Sequence, residues 1–354
     1  MAGGIKKTPL FDMHIERGAK MAPFAGWNLP LHYYEGVADE HLHTREAVSV
    51  MDSCHAGKFR IAGKGAAAAL DARLACPVLD QAVGTCRVNF LLNEQGVPVE
   101  ELLVCAMAEE DFFVIGRSGN RLIGGMLQSC VPEDAAFQDL TELLGKIDLL
   151  GPVAEAVLIE LDVPEEDLPG EYGCKSQAVA EIPCILIRHP LLGEDGFELC
   201  FAADYAEDMW EILLDTDPVL PVGQGAGDSL RIEAGQPRCG SDLPAGTSIL
   251  CTEYASLFRL DEFPERNFVG KEALAGLPAD RRLVRILLEG RRAARSGSEV
   301  RLDGKVIGKV TGGAFAPSCN CAVALGWVDA ACAVPETAVE ILAGDVVLTG
   351  RLDG

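Results

Sequence analysis

The side chains whose types and spacing could support catalysis or metal binding are the cysteines, the histidines and two glycine-rich segments. The 13 cysteines include no C-x-x-C pair and the chain has no H-E-x-x-H segment, so zinc-site spacing is missing. GQGAG at 223–227 lacks the G-x-G-x-x-G spacing of a dinucleotide site, and AGKGAAAA at 62–69 lacks the Ser or Thr of a P-loop. G-x-S-x-G is absent as well. We predict no metal, and motif spacing alone assigns no reaction.

Composition is typical of an acidic soluble globular protein. A length of 354 residues predicts two or three domains at about 150 residues per domain. Lys and Arg number 30 against 54 Asp and Glu, and the resulting net charge of −24 disfavours nucleic-acid and anionic-membrane binding. No apolar run approaches the roughly 18 residues of a membrane span, and no signal-peptide pattern is present. We expect a cytoplasmic protein with reduced cysteines, most of them in the core.

Residue patterning predicts an α+β chain. Helices are expected over 36–47, 63–76 and 203–216, short β-like runs over 86–117, and a loop-like region over 1–35. The helix over 203–216 has an apolar side made of Tyr205, Met209, Trp210, Leu213 and Leu214.

The C-terminal part has a different pattern. From about residue 282, short apolar runs recur at roughly ten-residue intervals and are separated by DG, GG and AG turns, which is typical of a small sandwich or barrel. The segment GLPADRR places a domain boundary near 275–285.

Seven ordered segments resemble the aminomethyltransferase family, that is, the T-protein of the glycine cleavage system and its folate-dependent relatives. The segments are TPLFDMH with GAKMAPFAGWNLPLHY, EHLHTREAVSVMDSCHAG, LLNEQGVPVEELLV, LLGEDGFELCF, GQGAGDSLRIEAGQPRCGSDL, NFVGKEAL and GKVTGGAFAPSCNCAVALGWV. The resemblance covers nearly the whole chain.

The resemblance implies a cloverleaf-like fold with three domains around a central hole, two mixed α/β units and a C-terminal β-barrel. We assign residues 1–50 with about 145–205 to the first unit and 51–144 with about 206–278 to the second. Residues 279–354 form the expected barrel.

The resemblance also implies a reaction and two partners. A lipoyl carrier protein, the H-protein, brings an aminomethyl group on the sulfur of its lipoyl arm. Tetrahydrofolate takes the one-carbon unit, and ammonia and the reduced arm are released.

Three residues occupy family site positions. Glu198 is at the pterin-binding position, where a carboxylate can accept two parallel hydrogen bonds from adjacent ring N–H groups. Glu101 matches the Asp that lies near the reacting nitrogens, which makes it the expected catalytic residue. Arg231 matches an Arg that is a candidate partner for the folate carboxylates or for an internal acid.

Several expected folate-binding positions depart from the family pattern. Val88, Leu191 and Cys239 stand where tyrosines are usual, and Arg117 stands for an Asn. Glu101 adds one methylene, which moves its carboxylate by about 1 Å. Two alternatives therefore stay open: a related folate-dependent demethylase that needs no carrier, and a non-catalytic folate-binding paralogue.

Some of these polar residues also have structural interpretations. Glu198 could be a strand-edge acid. Glu101 and Glu100 could be a solvated pair, and because neighbouring residues of a strand point to opposite faces, one of the two must point away from the site. We expect Asp228 to cap the SLRIEA helix and His55 to be a structural histidine.

A cluster of six arginines stands out against the net negative charge. It is either a surface balanced by acids elsewhere or a basic patch for an acidic partner such as the carrier protein. Its members are Arg281, Arg282, Arg285, Arg291, Arg292 and Arg295.

Overall fold

The computed structural model describes residues 4–117 and 122–353. Its helices are α1 (Phe11–Glu16), α2 (Val37–Glu46), α3 (Ala66–Arg73), α4 (Leu122–Gln128), α5 (Ala154–Glu160), α6 (Ala206–Leu214), α7 (Gln224–Glu233) and α8 (Lys271–Ala275). Strands β1 to β10 are Lys6–Lys7, Lys20–Phe24, Trp27–His32, Val48–Asp52, Gly57–Gly63, Cys86–Leu92, Pro98–Ala108, Asp111–Gly116, Ala135–Asp139 and Leu144–Leu150. Strands β11 to β20 are Gly173–Val179, Ile182–Arg188, Gly196–Ala202, Val219–Pro221, Arg281–Leu288, Glu299–Leu302, Lys305–Ala316, Cys321–Asp329, Ala338–Ala343 and Val346–Asp353.

The N-terminal segment is ordered secondary structure. The loop expected over 1–35 is wrong for the described residues, because β1, β3 and β2 form a small three-stranded sheet beside α1. Pro23 and Pro30 lie within β2 and β3, and proline within a short apolar run argues against a strand in sequence analysis. The local hydrophobic pattern of the sequence is a weak predictor of small, irregular sheets of this kind.

A six-stranded sheet in the order β11-β12-β13-β10-β4-β14 forms the base of the first unit. Apolar side chains of α5 and α6 cover one of its faces, with Val157, Met209, Trp210 and Leu213 buried there. Tyr205 precedes α6 and is 43% exposed, so the apolar side of this helix is narrower than predicted.

The chain contributes to the first unit beyond residue 205. The sequence-based grouping placed 206–278 with the second unit, whereas α6 packs on the six-stranded sheet and β14 extends its edge beside β4. The reason is the apolar face of α6, which is buried in the core of the six-stranded sheet through Met209, Trp210 and Leu213.

The second unit is a five-stranded sheet in the order β6-β7-β8-β5-β9, with α3 and α4 on one face. The helix predicted over 63–76 is shorter in the structure, since β5 continues to Gly63 and α3 ends at Arg73. The helix predicted over 36–47 is confirmed as α2.

The C-terminal strands close into a six-stranded barrel in the order β15-β18-β17-β16-β19-β20, which confirms the predicted barrel. Its interior is aliphatic, with Ile286, Val300 and Ile341 fully buried. Trp327 Nε1 donates to the Asp242 carbonyl at 2.7 Å and so fastens the barrel to the segment that precedes it.

The glycine-rich segment 223–227 serves helix packing. Gly223 precedes α7, and a Cβ there would lie 2.5 Å from the carbonyl of Leu31 on β3. Asp228 lies inside α7 and pairs with Arg231, so the prediction that it caps the helix is wrong. The helix begins four residues earlier because the glycines allow close contact with β3.

The inner faces of the two large sheets meet. Along β10, Ile147 and Leu149 point into the helix-covered core, so Lys146 and Asp148 point to the opposite face. From the second sheet, alternate residues of β7 such as Cys105 pack towards that same face. Strand alternation therefore directs the charged residues of β10 into the space between the sheets.

We predict that Trp210→Ala lowers the free energy of unfolding by about 3–5 kcal/mol, because it leaves a large cavity in a fully buried site. Tyr205→Ala, at the half-exposed position before α6, is expected to cost less than about 1 kcal/mol. Chemical denaturation of both variants measures the difference, and equal losses would contradict the packing described for α6.

Candidate functional site

A central cavity of about 800 Å³ lies where the inner faces of the two sheets meet the segment after α7. Of the seven residues predicted to form the site, six line this cavity: Val88, Glu101, Arg117, Leu191, Arg231 and Cys239. The seventh, Glu198, is fully buried and touches three lining residues from behind.

The Glu198 carboxylate is surrounded by cationic and N–H groups. His189 Nε2 lies 2.7 Å from Oε1, Arg117 Nη2 lies 3.5 Å from Oε1, and Lys146 Nζ lies 3.0 Å from Oε2. Burial by itself would raise the pKa of Glu198, but Lys146 and Arg117, together with His189, hold that pKa well below its usual range. Glu198 is therefore an ionised carboxylate inside the cavity wall.

Arg117 links Glu198 to the second predicted acid. Glu101 lies on β7 and Arg117 directly follows β8, where its backbone N–H bonds to the Glu101 carbonyl. Arg117 Nε is 3.0 Å from Glu101 Oε1, and the Tyr254 hydroxyl donates to Oε2 at 3.2 Å. Burial opposes the charge of Arg117, yet Glu198 and Glu101 raise its pKa. The two acids thus share one guanidinium in the same cavity wall.

Sequence reasoning missed the buried pair on β10. Lys146 pairs with Asp148, which also accepts a hydrogen bond from Ser53 Oγ at 2.5 Å, and all three residues line the cavity. A signal was available, because a lysine and an aspartate two residues apart share one face of an otherwise apolar strand. A buried face with two charges indicates a polar site.

Arg231 is paired with acids of this chain. Its guanidinium contacts Asp228 at 2.6 Å and the fully buried Asp242 at 2.7 Å, while also lining the cavity. Arg238 lies beside it, 3.2 Å from Asp228 and stacked 5.2 Å from the ring centre of Phe24. The region therefore carries two arginines, with Arg231 held by the internal acid that was one of its two predicted partners.

The three residues that stand where the family pattern has tyrosines provide apolar surface. Leu191 is buried with Met51, and Val88 and Cys239 are half-buried at the cavity surface. Burial, with Glu101 nearby, raises the pKa of the Cys239 thiol well above its usual range, so the thiol is neutral.

His55 lines the cavity next to Phe24, with the two rings 5.6 Å apart in an edge-to-face contact. Its Nδ1 is buried and has no hydrogen-bond partner among residues 4–117 and 122–353. Burial, reinforced by Lys146 and Lys58, lowers the pKa of His55 to about 4 despite the opposing charge of Asp52. His55 is therefore neutral, and it lacks one of the bonds that a purely structural histidine would be expected to make.

The arginine cluster is partly balanced by acids. Arg285 pairs with Asp353 at 2.6 Å and Arg281 lies 3.9 Å from Asp329. Arg291 stacks over the ring of Phe315 at 4.3 Å. The exposed arginines of the cluster are Arg281, Arg282, Arg291, Arg292 and Arg295.

Two further features concern only the part of the chain that the structure covers. None of its helices has the length and apolar character needed to cross a lipid bilayer. No three His, Cys, Asp or Glu side chains within it come close enough together to hold a metal ion.

Two family models together match most of the chain. The GCVT N-terminal domain matches residues 10–261, and the glycine cleavage T-protein C-terminal barrel domain matches residues 281–350.

Relatives and a solved structure show the same similarity along the chain. An aminomethyltransferase from Thermus thermophilus is 34% identical over 330 residues, covering 92% of each chain, and one from Streptomyces avermitilis is 33% identical, covering 94% of this chain and 92% of its own. The crystal structure of glycine cleavage system aminomethyltransferase T from Bartonella henselae has a TM-score of 0.91 at 28% identity. The match covers 99% of this chain and 97% of that one, which confirms the predicted fold class.

We predict a measurable contribution of His55 to acid sensitivity. Between its ordinary pKa of 6.5 and its folded pKa of about 4, only the unfolded chain takes up a proton at this residue. The free energy of unfolding should therefore fall as the pH is lowered through this range, by about 1.4 kcal/mol per pH unit from His55 alone. Denaturation of His55→Gln at several pH values should lack this component, and identical slopes for both proteins would refute the assignment.

Proposed function

This chain belongs to the glycine cleavage T-protein family, and we propose that it transfers the aminomethyl carbon of a lipoyl carrier protein to tetrahydrofolate with release of ammonia. The observation that carries this proposal is the common cavity wall in which Glu101 and Glu198 are joined through Arg117. Glu101 faces the cavity directly, and Glu198, buried behind it, acts on the same wall through Arg117.

The cavity residues fit a folate. A volume of about 800 Å³ is within the roughly 300–1,000 Å³ of small-molecule sites. Leu191 and Val88 offer apolar surface to a ring, the Glu101 carboxylate can accept N–H donors, and the region of Arg231 and Arg238 offers guanidinium groups to acidic substituents. When bound, tetrahydrofolate supplies the nitrogen atoms that take up the one-carbon unit.

We assign Glu101 to the reacting centre. Its carboxylate is fixed by Arg117 at 3.0 Å and by the Tyr254 hydroxyl at 3.2 Å, so its orientation is set before a ligand arrives. A fixed negative charge stabilises positive charge that develops on an acceptor nitrogen and can receive its proton. Glu198 is ionised and buried behind the cavity wall. It acts on the ring indirectly, by holding the Arg117 guanidinium that lines the cavity.

The described cysteines are all free thiols, from Cys54 to Cys332. Unpaired, mostly buried thiols are usual in a reducing compartment, which supports a cytoplasmic location.

The exposed arginines of the C-terminal cluster offer a surface for the carrier protein. Arg291 and Arg292 lie in the connection between β15 and β16, on a protein with a net charge of −24. A local basic surface on an acidic protein favours an acidic partner and accelerates the encounter. The carrier protein is the partner expected to dock there.

We predict that Glu101→Gln lowers kcat/KM for aminomethyl transfer about 100-fold, because the fixed charge at the reacting centre is lost. Glu94→Gln, an exposed glutamate in the turn between β6 and β7, is the matched control and should keep wild-type activity. The assay uses aminomethylated carrier protein and tetrahydrofolate and follows ammonia release.

Two outcomes with the wild-type chain would contradict the proposed function. Turnover of a small methylated donor in the absence of carrier protein would identify a demethylase. Tetrahydrofolate binding without turnover of either donor would identify a non-catalytic paralogue.

We also predict that Arg291→Glu with Arg292→Glu weakens carrier binding about tenfold at low salt, mainly through slower association. Arg351→Glu, an exposed arginine of the same barrel that pairs with Glu336, is the control for a single charge reversal elsewhere on the barrel. Surface plasmon resonance at two salt concentrations measures the effect. Equal affinities for the double variant and the wild type at low salt would exclude this surface.

A further inference from the structure

We propose that Lys146 is a positioning residue that holds the Glu198 carboxylate ionised and oriented in the wall of the central cavity. Its consequence for folate binding rests on the proposed function, whereas the pairing itself does not. Lys146 is not among the site residues that the family resemblance predicts.

Lys146 is a buried cation that lies between two carboxylates. Its side chain is 3% exposed, its Nζ lies 3.0 Å from Glu198 Oε2, and it also pairs with Asp148 on its own strand. Asp148 and Glu198 are direct register partners on β10 and β13, so the two carboxylates would repel each other without a cation between them. Lys146 stands two residues before Asp148 on the same face and supplies that cation.

The other groups around Glu198 cannot take over this role. His189 and Arg117 both approach Oε1, at 2.7 Å and 3.5 Å, and Arg117 is also engaged with Glu101. Oε2 has Lys146 as its nearby cation. Removing Lys146 therefore leaves one carboxylate oxygen of Glu198 facing Asp148. Protonation of Glu198 would remove the resulting repulsion between the two carboxylates.

The charged and titratable groups that face this pair come from several elements. They are Asp148 on β10, Cys200 on β13, His189 after β12, Arg117 after β8, Lys58 on β5 and His55 before β5. Burial opposes the charge of Lys146, while Asp148 and Glu198 raise its pKa, so it stays a cation throughout the neutral range. Its contribution is thus electrostatic and orienting.

Carbon-13 NMR titration of the glutamate carboxyl groups in the full chain tests the pairing without any ligand. The Glu198 signal is identified by its loss in Glu198→Gln. In the wild type we expect this carboxyl to remain ionised well below the usual range of a glutamate, and in Lys146→Met its midpoint should rise by about one pH unit or more. Lys146→Gln is a second neutral variant should the methionine variant fail to fold.

Two control variants separate charge from structure. Lys146→Arg keeps the cation and should restore the wild-type midpoint. Lys58→Met removes another fully buried lysine, whose Nζ bonds to the Cys54 carbonyl at 2.8 Å and which makes no ion pair with Glu198, and should raise the Glu198 midpoint much less than Lys146→Met does. An unchanged midpoint in both neutral Lys146 variants, or an equal rise in Lys58→Met, would overturn the proposal.

The dissociation constant of tetrahydrofolate, measured anaerobically by calorimetry at pH values on both sides of the Glu198 midpoint that NMR gives for Lys146→Met, tests the functional consequence. Below the new midpoint, Lys146→Met should bind about tenfold more weakly than the wild type, and the two should converge at higher pH. Equal weakening at every pH would show structural damage and overturn the positioning role. A wild-type chain that does not bind tetrahydrofolate would overturn the proposed function, while the NMR result would still decide the Lys146–Glu198 pairing.

Discussion

Charges buried in the wall of a cavity persist only when each has a partner, and this constraint governs the centre of the molecule. Glu101, Asp148 and Glu198 lie in one wall, where three unpaired carboxylates would be prohibitively costly to remove from water. Arg117 and Lys146 are placed between them, one from each sheet. The polar wall therefore connects the two α/β units as well as bordering the candidate site.

The rest of the fold fixes where these groups stand. Helices cover the outer faces of both sheets, so only the inner faces are left for polar residues. The antiparallel register of β10 and β13 sets Asp148 beside Glu198, and that of β7 and β8 brings Arg117 next to Glu101. Orientation is thus set by strand pairing, which is far stiffer than a loop.

The structure adds internal cations to the site that the resemblance implied. The resemblance predicted the carboxylates and the apolar residues at Val88, Leu191 and Cys239, and the structure shows that Arg117 and Lys146 compensate those carboxylates. The charge that the carboxylates carry is therefore retained within a partly apolar cavity.

Local sequence patterns predicted the helices and strands with strong periodicity, and the family resemblance predicted the architecture. The amphipathic α6 and the closely spaced barrel strands were predictable, because apolar spacing reports directly on which face is buried. The helix α2 was also predicted, although the residues that it buries, Glu40, His41 and Thr44, are polar. The loop expected at the N-terminus was wrong because Pro23 and Pro30 lie within strands, which local pattern does not indicate. The cap expected at Asp228 was wrong because the glycines before it let α7 begin earlier against β3. The positions of Glu101 and Glu198 were predictable from matched segments, but their joint contact with Arg117 was not. Arg117 and Glu198, like Lys146 and Glu198, are far apart in the chain, and only strand register and sheet packing decide which charges meet.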